Sequence, residues 1–201
     1  VRWDRFFDDL EDQLASEWEA ERAALDTEAE RLRLSRVSLR ERLAALVDAG
    51  GRGPVVTADV VGGATLSARV TALGADWVAF APVDSRVGAV LTPLACLVSV
   101  GMPHADLLRS ARPVESRTSL SDRMTLGFVL RDLVRRRTPV VAQLTAGRSL
   151  HGTIDRAGVD HFDLALHEPG SPRRADAVTG YRVVPFTALA WVRLEGPLEV
   201  A

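Results

Sequence analysis

Apolar and polar residues alternate along this chain at two different periods, helical at first and strand-like afterwards. Apart from the adjacent pair Phe6-Phe7, the residues Trp3, Phe6, Phe7, Leu10, Leu14, Trp18, Leu25, Ala29 and Leu32 lie at steps of three, four or seven. At 100° per residue they fall in one stripe about 140° wide, which predicts an amphipathic helix. Leu39, Leu43, Leu46 and Val47 continue nearly the same stripe, but Ser38-Leu39-Arg40-Glu41 reads as a capping box, so a second helix can begin there. A first helix of roughly 30 residues would be about 45 Å long, longer than a small β-domain is wide. Its stripe must therefore pack along the rest of the chain, on a second copy or on a partner. The pattern alone leaves these open.

Beyond Gly53 the period changes to that of strands, and two segments follow the same plan. Val55–Asp59, Leu66–Val70 and the run Leu73-Gly74-Ala75-Asp76-Trp77-Val78-Ala79-Phe80 match Val140–Leu144, Leu150–Ile154 and Ala157-Gly158-Val159-Asp160-His161-Phe162-Asp163-Leu164. Leu66, Gly74 and Asp76 align with Leu150, Gly158 and Asp160 at a constant offset of 84 residues. After a variable loop, Val90-Leu91-Thr92-Pro93 parallels Arg182-Val183-Val184-Pro185, and each leads into a last apolar strand, Cys96–Val100 or Ala188–Val192. Each unit is preceded by a helix opening on serine, at Ser38 or at Ser119 or Ser121. This is one unit used twice.

Within a unit, Gly62-Gly63 or Ala146-Gly147 predicts a tight hairpin turn. The Gly-X-Asp step predicts a turn in which Gly supplies an unusual backbone angle and Asp bonds locally. Pro93 and Pro185 cannot donate to a strand ladder, so each predicts a one-turn 3₁₀ break. Five short strands closing on themselves would remove exposed edges. The expected fold is therefore mainly β with α: two tandem five-stranded barrels, each preceded by a helix, behind a long N-terminal amphipathic helix. Its divisions are the acidic helix at 1–37, a first barrel at 38–103, a linker at 104–118 and a second barrel at 119–196.

The order of helix, bent strands, Gly-X-Asp turn, proline-marked break and last strand resembles the Sm-like fold of Sm, Lsm and Hfq proteins, a small SH3-like barrel. The resemblance covers roughly residues 38–101 and 119–194. Sm and Lsm proteins hold a nucleotide base with an Asn after the aspartate turn and an Arg-Gly pair before the last strand. Here those places read Ala79 to Ala81 and Asp163 to Ala165, then Leu91-Thr92-Pro93 and Val184-Pro185-Phe186. The basic-aromatic-His signature of Hfq is missing too, so the base pocket does not carry over. The whole chain also resembles an uncharacterised bacterial family labelled as Fis-type transcriptional regulators. A Fis-type DNA binder needs a helix-turn-helix, and none follows the second unit.

Composition narrows the function classes. All 25 basic residues are arginine, and Lys and Asn are absent, a bias that suits a G- and C-rich genome. It weakens any argument that arginine was selected here for its planar fork. Cys96 is the single cysteine and has no partner for an internal disulfide, no apolar run is long enough to cross a bilayer, and the start is too acidic for a signal peptide. A cytoplasmic location is expected. The net charge of −2 hides a gradient: residues 1–30 hold 11 acidic side chains against Arg2, Arg5 and Arg22, whereas 31–42 hold five arginines against Glu41 alone. An acidic polar face argues against membrane binding.

Candidate chemistry is sparse. His151, His161 and His167, near Asp155, Asp160 and Asp163, could supply metal ligands, but the first unit has no His at the aligned sites, with Trp77 in the place of His161. No metal, cofactor or catalytic residue is expected. Arg135, Arg136 and Arg137, with Arg148, Arg156, Arg173 and Arg174, are candidate phosphate contacts, although cations also favour a helix C-terminus and few aromatics are near for base stacking. Trp3, Phe7, Leu10, Leu14 and Trp18 are the candidate partner-binding residues. The leading expectation is a non-catalytic intracellular adaptor or regulatory protein that binds a protein partner, or a further copy of itself, through its N-terminal helix and barrel surfaces. The alternative is an RNA- or DNA-binding regulator that uses the arginines of the second barrel.

Overall fold

A computed structural model describes residues 2–47, 52–84, 88–112, 123–170 and 173–194, with side-chain surroundings given from Glu17 onward except at Ala20. The first helix, α1 (Arg2–Ser35), is continuous through 34 residues. The chain breaks at residues 36–38 and restarts as α2 (Leu39–Ala44) on the expected capping box: Ser38 Oγ accepts from the Glu41 backbone N–H, and the Glu41 carboxylate accepts from the Ser38 N–H. The Ser38 N–H and then the Ser38 hydroxyl, both donating to it, hold the Glu41 carboxyl below its usual range. Arg40 and Arg42, from the basic cluster, act as struts. Arg40 Nε donates to the Gly74 carbonyl (2.8 Å), and Arg42 Nη2 to the Leu107 carbonyl (2.9 Å) in α3 (His104–Ser110).

The strands are β1 (Val56–Val60), β2 (Ala64–Leu73), β3 (Trp77–Pro82), β4 (Val90–Pro93), β5 (Leu97–Gly101), β6 (Pro139–Leu144), β7 (Ser149–Ala157), β8 (His161–Leu166), β9 (Gly180–Pro185) and β10 (Leu189–Leu194). Gly62, Gly63 and Gly147 have φ of 93°, 80° and 84°, as the tight hairpin turns require. Pro93 and Pro185 each open a 3₁₀ turn, Leu94–Cys96 and Phe186–Ala188. Helix α4 (Leu126–Arg136) starts after Thr125; Ser119 and Ser121 lie outside the described residues.

The two separate five-stranded barrels do not form. The strands make a single open ten-stranded sheet, ordered β5-β1-β2-β3-β4-β10-β6-β7-β8-β9, in which every neighbouring pair is antiparallel. The halves join where β10, the last strand, pairs with β4, Val192 opposite Leu91 and Arg193 opposite Val90. The physical reason lies in β3 and β4. Trp77-Val78-Ala79-Phe80 is apolar at every position, and a strand apolar on both sides must be covered on both. Trp77, Ala79 and Leu91 enter a core shared with α4 and β6–β10, whereas Val78, Phe80 and Val90 enter a second core with α2, β1 and β2. Trp191 of β10 crosses the other way and packs against that second core. Strand-by-strand patterning marks these residues as buried but does not say against which half.

The Gly-X-Asp steps also work differently from expectation. Neither Gly74 nor Gly158 has positive φ. Gly74 is needed for close approach: a Cβ there would lie 2.1 Å from Trp77 Nε1 and 2.4 Å from the Met124 carbonyl oxygen. Trp77 Nε1 donates to that carbonyl (2.9 Å), and Asp76 Oδ1 accepts from the Leu126 N–H (2.7 Å) at the start of α4. Asp76 thus bonds to a helix 50 residues onward, joining the halves, rather than within its own turn. Its counterpart Asp160 is exposed and accepts from His161 Nδ1 (2.7 Å).

Candidate binding surface

Among the described residues, two surfaces remain apolar yet uncovered. The first is α1. From Glu17 to Arg36 every residue with a described side chain is exposed, and the stripe residues Trp18, Leu25 and Leu32 are 68%, 65% and 51% exposed. Trp3, Phe7, Leu10 and Leu14 share the helix backbone, but their side chains lie outside the described set. Acidic residues flank the stripe (Glu17, Glu19, Glu21, Asp26, Glu28 and Glu30), and the exposed pairs Arg31–Glu28 and Arg33–Glu30 contribute little stability. Where α1 meets α2, Ala29, Leu32, Arg33, Arg36, Val37 and Glu41 line an open groove of about 440 Å³. Among the described residues nothing covers this stripe between Trp18 and Leu32, which the sequence pattern alone does not show.

The second surface is formed by the sheet edges, which sequence reasoning missed because closed barrels would have none. Val98 on β5 is 66% exposed, and Tyr181 and Val183 on β9 are 60% and 68% exposed.

The candidate arginines do not gather into one unengaged patch. Arg135 and Arg136, near the end of α4, both pair with Asp132. Arg137 closes the helix in left-handed conformation, φ 51°. Arg173 makes a two-pronged contact with Asp155, both bonds 2.6 Å, pinning its loop to β7; the paired carboxylate raises the guanidinium's already high pKa. Arg148, Arg156 and Arg174 are exposed, on the β6–β7 turn, on β7 and in the loop after β8.

The histidines are likewise separate. His167 is buried with both ring nitrogens engaged: Nδ1 donates to the Glu168 carbonyl (3.1 Å), leaving Nε2 to accept from Thr153 Oγ1 (2.9 Å). His161 is tied to Asp160, which lowers the Asp160 pKa, and Asp155 is held by Arg173. Among the described residues, no group of three or more His, Cys, Asp or Glu side chains is placed to hold a metal ion. Cys96 is buried, its Sγ donating to the Leu189 carbonyl (3.1 Å), and burial raises the thiol pKa, which disfavours the reactive thiolate. No helix among the described residues is long and apolar enough to cross a membrane. No protein-family model matches the chain, and neither a curated protein nor a solved structure matches it.

Proposed function

We propose that this chain is a non-catalytic adaptor or regulatory protein that binds a partner protein through the apolar stripe of α1, with the sheet as the body that carries the helix. The observation behind this reading is the exposure of Trp18, Leu25 and Leu32 at seven-residue intervals on one helix. Full burial of such a side chain is worth about 1.5–3 kcal/mol, so three in one row favour a covering surface. The acidic flanks add a charge preference: the matching surface is an apolar helix face or groove bordered by arginine or lysine.

The test is a pull-down from the native cell, with and without nuclease, using wild type and a Trp18→Ser, Leu25→Ser, Leu32→Ser variant. The wild type should retain a protein partner after nuclease treatment. The variant should lose it while keeping the wild-type melting temperature, because these side chains touch no core. Equal retention by both proteins would refute the helix reading. Loss of all retained protein on nuclease treatment would favour the rival reading, phosphate contact through Arg137, Arg148, Arg156 and Arg174.

A further inference from the structure

The apolar stripe of α1 repeats every eleven residues. Trp3, Leu14 and Leu25 form one row at that spacing, and Phe7, Trp18 and Ala29 form a second. Leu10, Glu21 and Leu32 form the third. The seven-residue step that joins Trp18, Leu25 and Leu32 does not extend in the same way, because carried back from Trp18 it falls on Glu11 and Asp4. All three rows lie on the one continuous helix Arg2–Ser35. An eleven-residue repeat corresponds to about 3.67 residues per turn, slightly more than the helix itself has, and a seven-residue repeat to about 3.5. Between Leu10 and Leu32 those two seams drift apart by about 100° around the helix. A partner helix that follows the whole stripe must therefore share the eleven-residue repeat, and such a pair coils weakly to the right.

Charge narrows the partner further. From Glu17 to Leu32 the helix holds six acidic side chains against two arginines, Arg22 and Arg31. Two copies of α1 laid together, in either direction, bring acidic flanks against acidic flanks over most of their length. The stripe therefore selects against its own kind and favours a helix flanked by lysine or arginine. Glu21 is the exception within the stripe itself. It is exposed, lies one turn from both Trp18 and Leu25, and stands where Leu10 and Leu32 stand one repeat away. Covered by apolar groups alone, its carboxylate would lose water without compensation. Opposite a cation, the same group fixes the register of the pair at some cost in stability.

We infer that α1 binds one helix of a different protein, a helix with an apolar stripe of eleven-residue repeat, lysine or arginine on both flanks, and one such cation within the stripe opposite Glu21. This rests on the adaptor reading above and specifies its partner. The three rows supply the contact area, and the acidic flanks exclude a second copy of this chain. Glu21 selects one register among those that the repeat allows, because a slip of one repeat would set the partner's cation against Leu10 or Leu32.

The full chain can be titrated by calorimetry with synthetic helical peptides of three eleven-residue repeats. A peptide with a leucine stripe and lysine flanks should bind. The same peptide with glutamate flanks, or with its stripe respaced to seven residues, should bind more weakly by roughly tenfold or more. The Trp18→Ser, Leu25→Ser, Leu32→Ser variant should bind none of them. Three further peptides each place one arginine at a different stripe position of the middle repeat. One of these should bind the wild type more tightly than the all-leucine stripe does, and that order should reverse on a Glu21→Leu variant. Equal binding of the lysine- and glutamate-flanked peptides would overturn the proposal. So would equal binding of the seven-residue peptide, or the lack of an arginine preference that reverses on Glu21→Leu. Light scattering tests the remaining occupant: wild type and serine variant should have the same mass, and a lower mass for the variant would mean that a second copy covers the stripe. If the serine variant loses the native partner in the pull-down while the peptides show no preference, α1 remains a binding helix and only the helical partner inferred here is wrong.

Discussion

At the scale of single residues, Gly74 is among the most tightly enclosed positions. Its backbone is ordinary in φ, yet no side chain fits, because the Trp77 ring and the Met124 carbonyl occupy the space where a Cβ would project. Trp77 is fully buried and its indole N–H is bonded to that carbonyl, so neither neighbour can retreat without opening the core or losing the bond. Gly74→Ala should therefore cost on the order of 2–3 kcal/mol, at the upper end of overpacking penalties, read as a fall in the denaturation midpoint. Gly63→Ala is the control. Its Cβ would meet open space and only its φ of 80° is strained, so it should cost about 1 kcal/mol. The sequence marked Gly74 through its repeat partner Gly158 but suggested the wrong cause. A glycine required by a contact 50 residues away looks, in sequence, like one required by its own turn.

At the scale of elements, Asp59 sets how firmly the edge strand β5 is held. It stands opposite Thr65 of β2 and Ser99 of β5 in the register, and its carboxylate accepts hydrogen bonds from both hydroxyls. The Ser99 bond, then the Thr65 bond, lowers its pKa. A carboxyl whose folded pKa is depressed stabilises the fold above its unfolded pKa, and that contribution disappears as pH falls through the folded value. Asp59→Asn should accordingly lower the melting temperature at neutral pH, and the difference from wild type should vanish in acid, below the depressed pKa. A difference that persists there would mean that the side chain acts by shape rather than by charge. Most elements were legible in the sequence: the amphipathic α1, the capping box at Ser38, the hairpin turns at Gly62-Gly63 and Gly147, and the proline-opened 3₁₀ turns. All of these are decided by residues within a few positions of one another. The start of α4 was not legible, because the group that meets its first N–H is Asp76, far away in the chain.

At the scale of the whole molecule, the strands were legible and their closure was not. Patterning fixes which residues are buried, but the choice between closing each five-stranded set and joining the two depends on which free edges meet. Trp77-Val78-Ala79-Phe80 held the available signal, since a strand apolar on both faces needs cover from two sides, and one small barrel supplies a single interior. The consequence is that the halves should not unfold separately. Leu91 belongs to the core built by α4 and β6–β10, sits opposite Ala79 within its own half and opposite Val192 across the junction, and is fully buried. Leu91→Ala should cost about 2–5 kcal/mol through lost burial and the cavity left behind. Because the residue faces the other half, that loss should fall on both. Hydrogen exchange under native conditions would measure it directly: amides of β1–β2 and of β7–β8 should lose protection by the same factor if the sheet opens as one cooperative unit. Loss confined to β1–β5 would mean that the β4–β10 pairing holds two independently stable halves side by side, and the shared core would then be an edge contact rather than the centre of the fold.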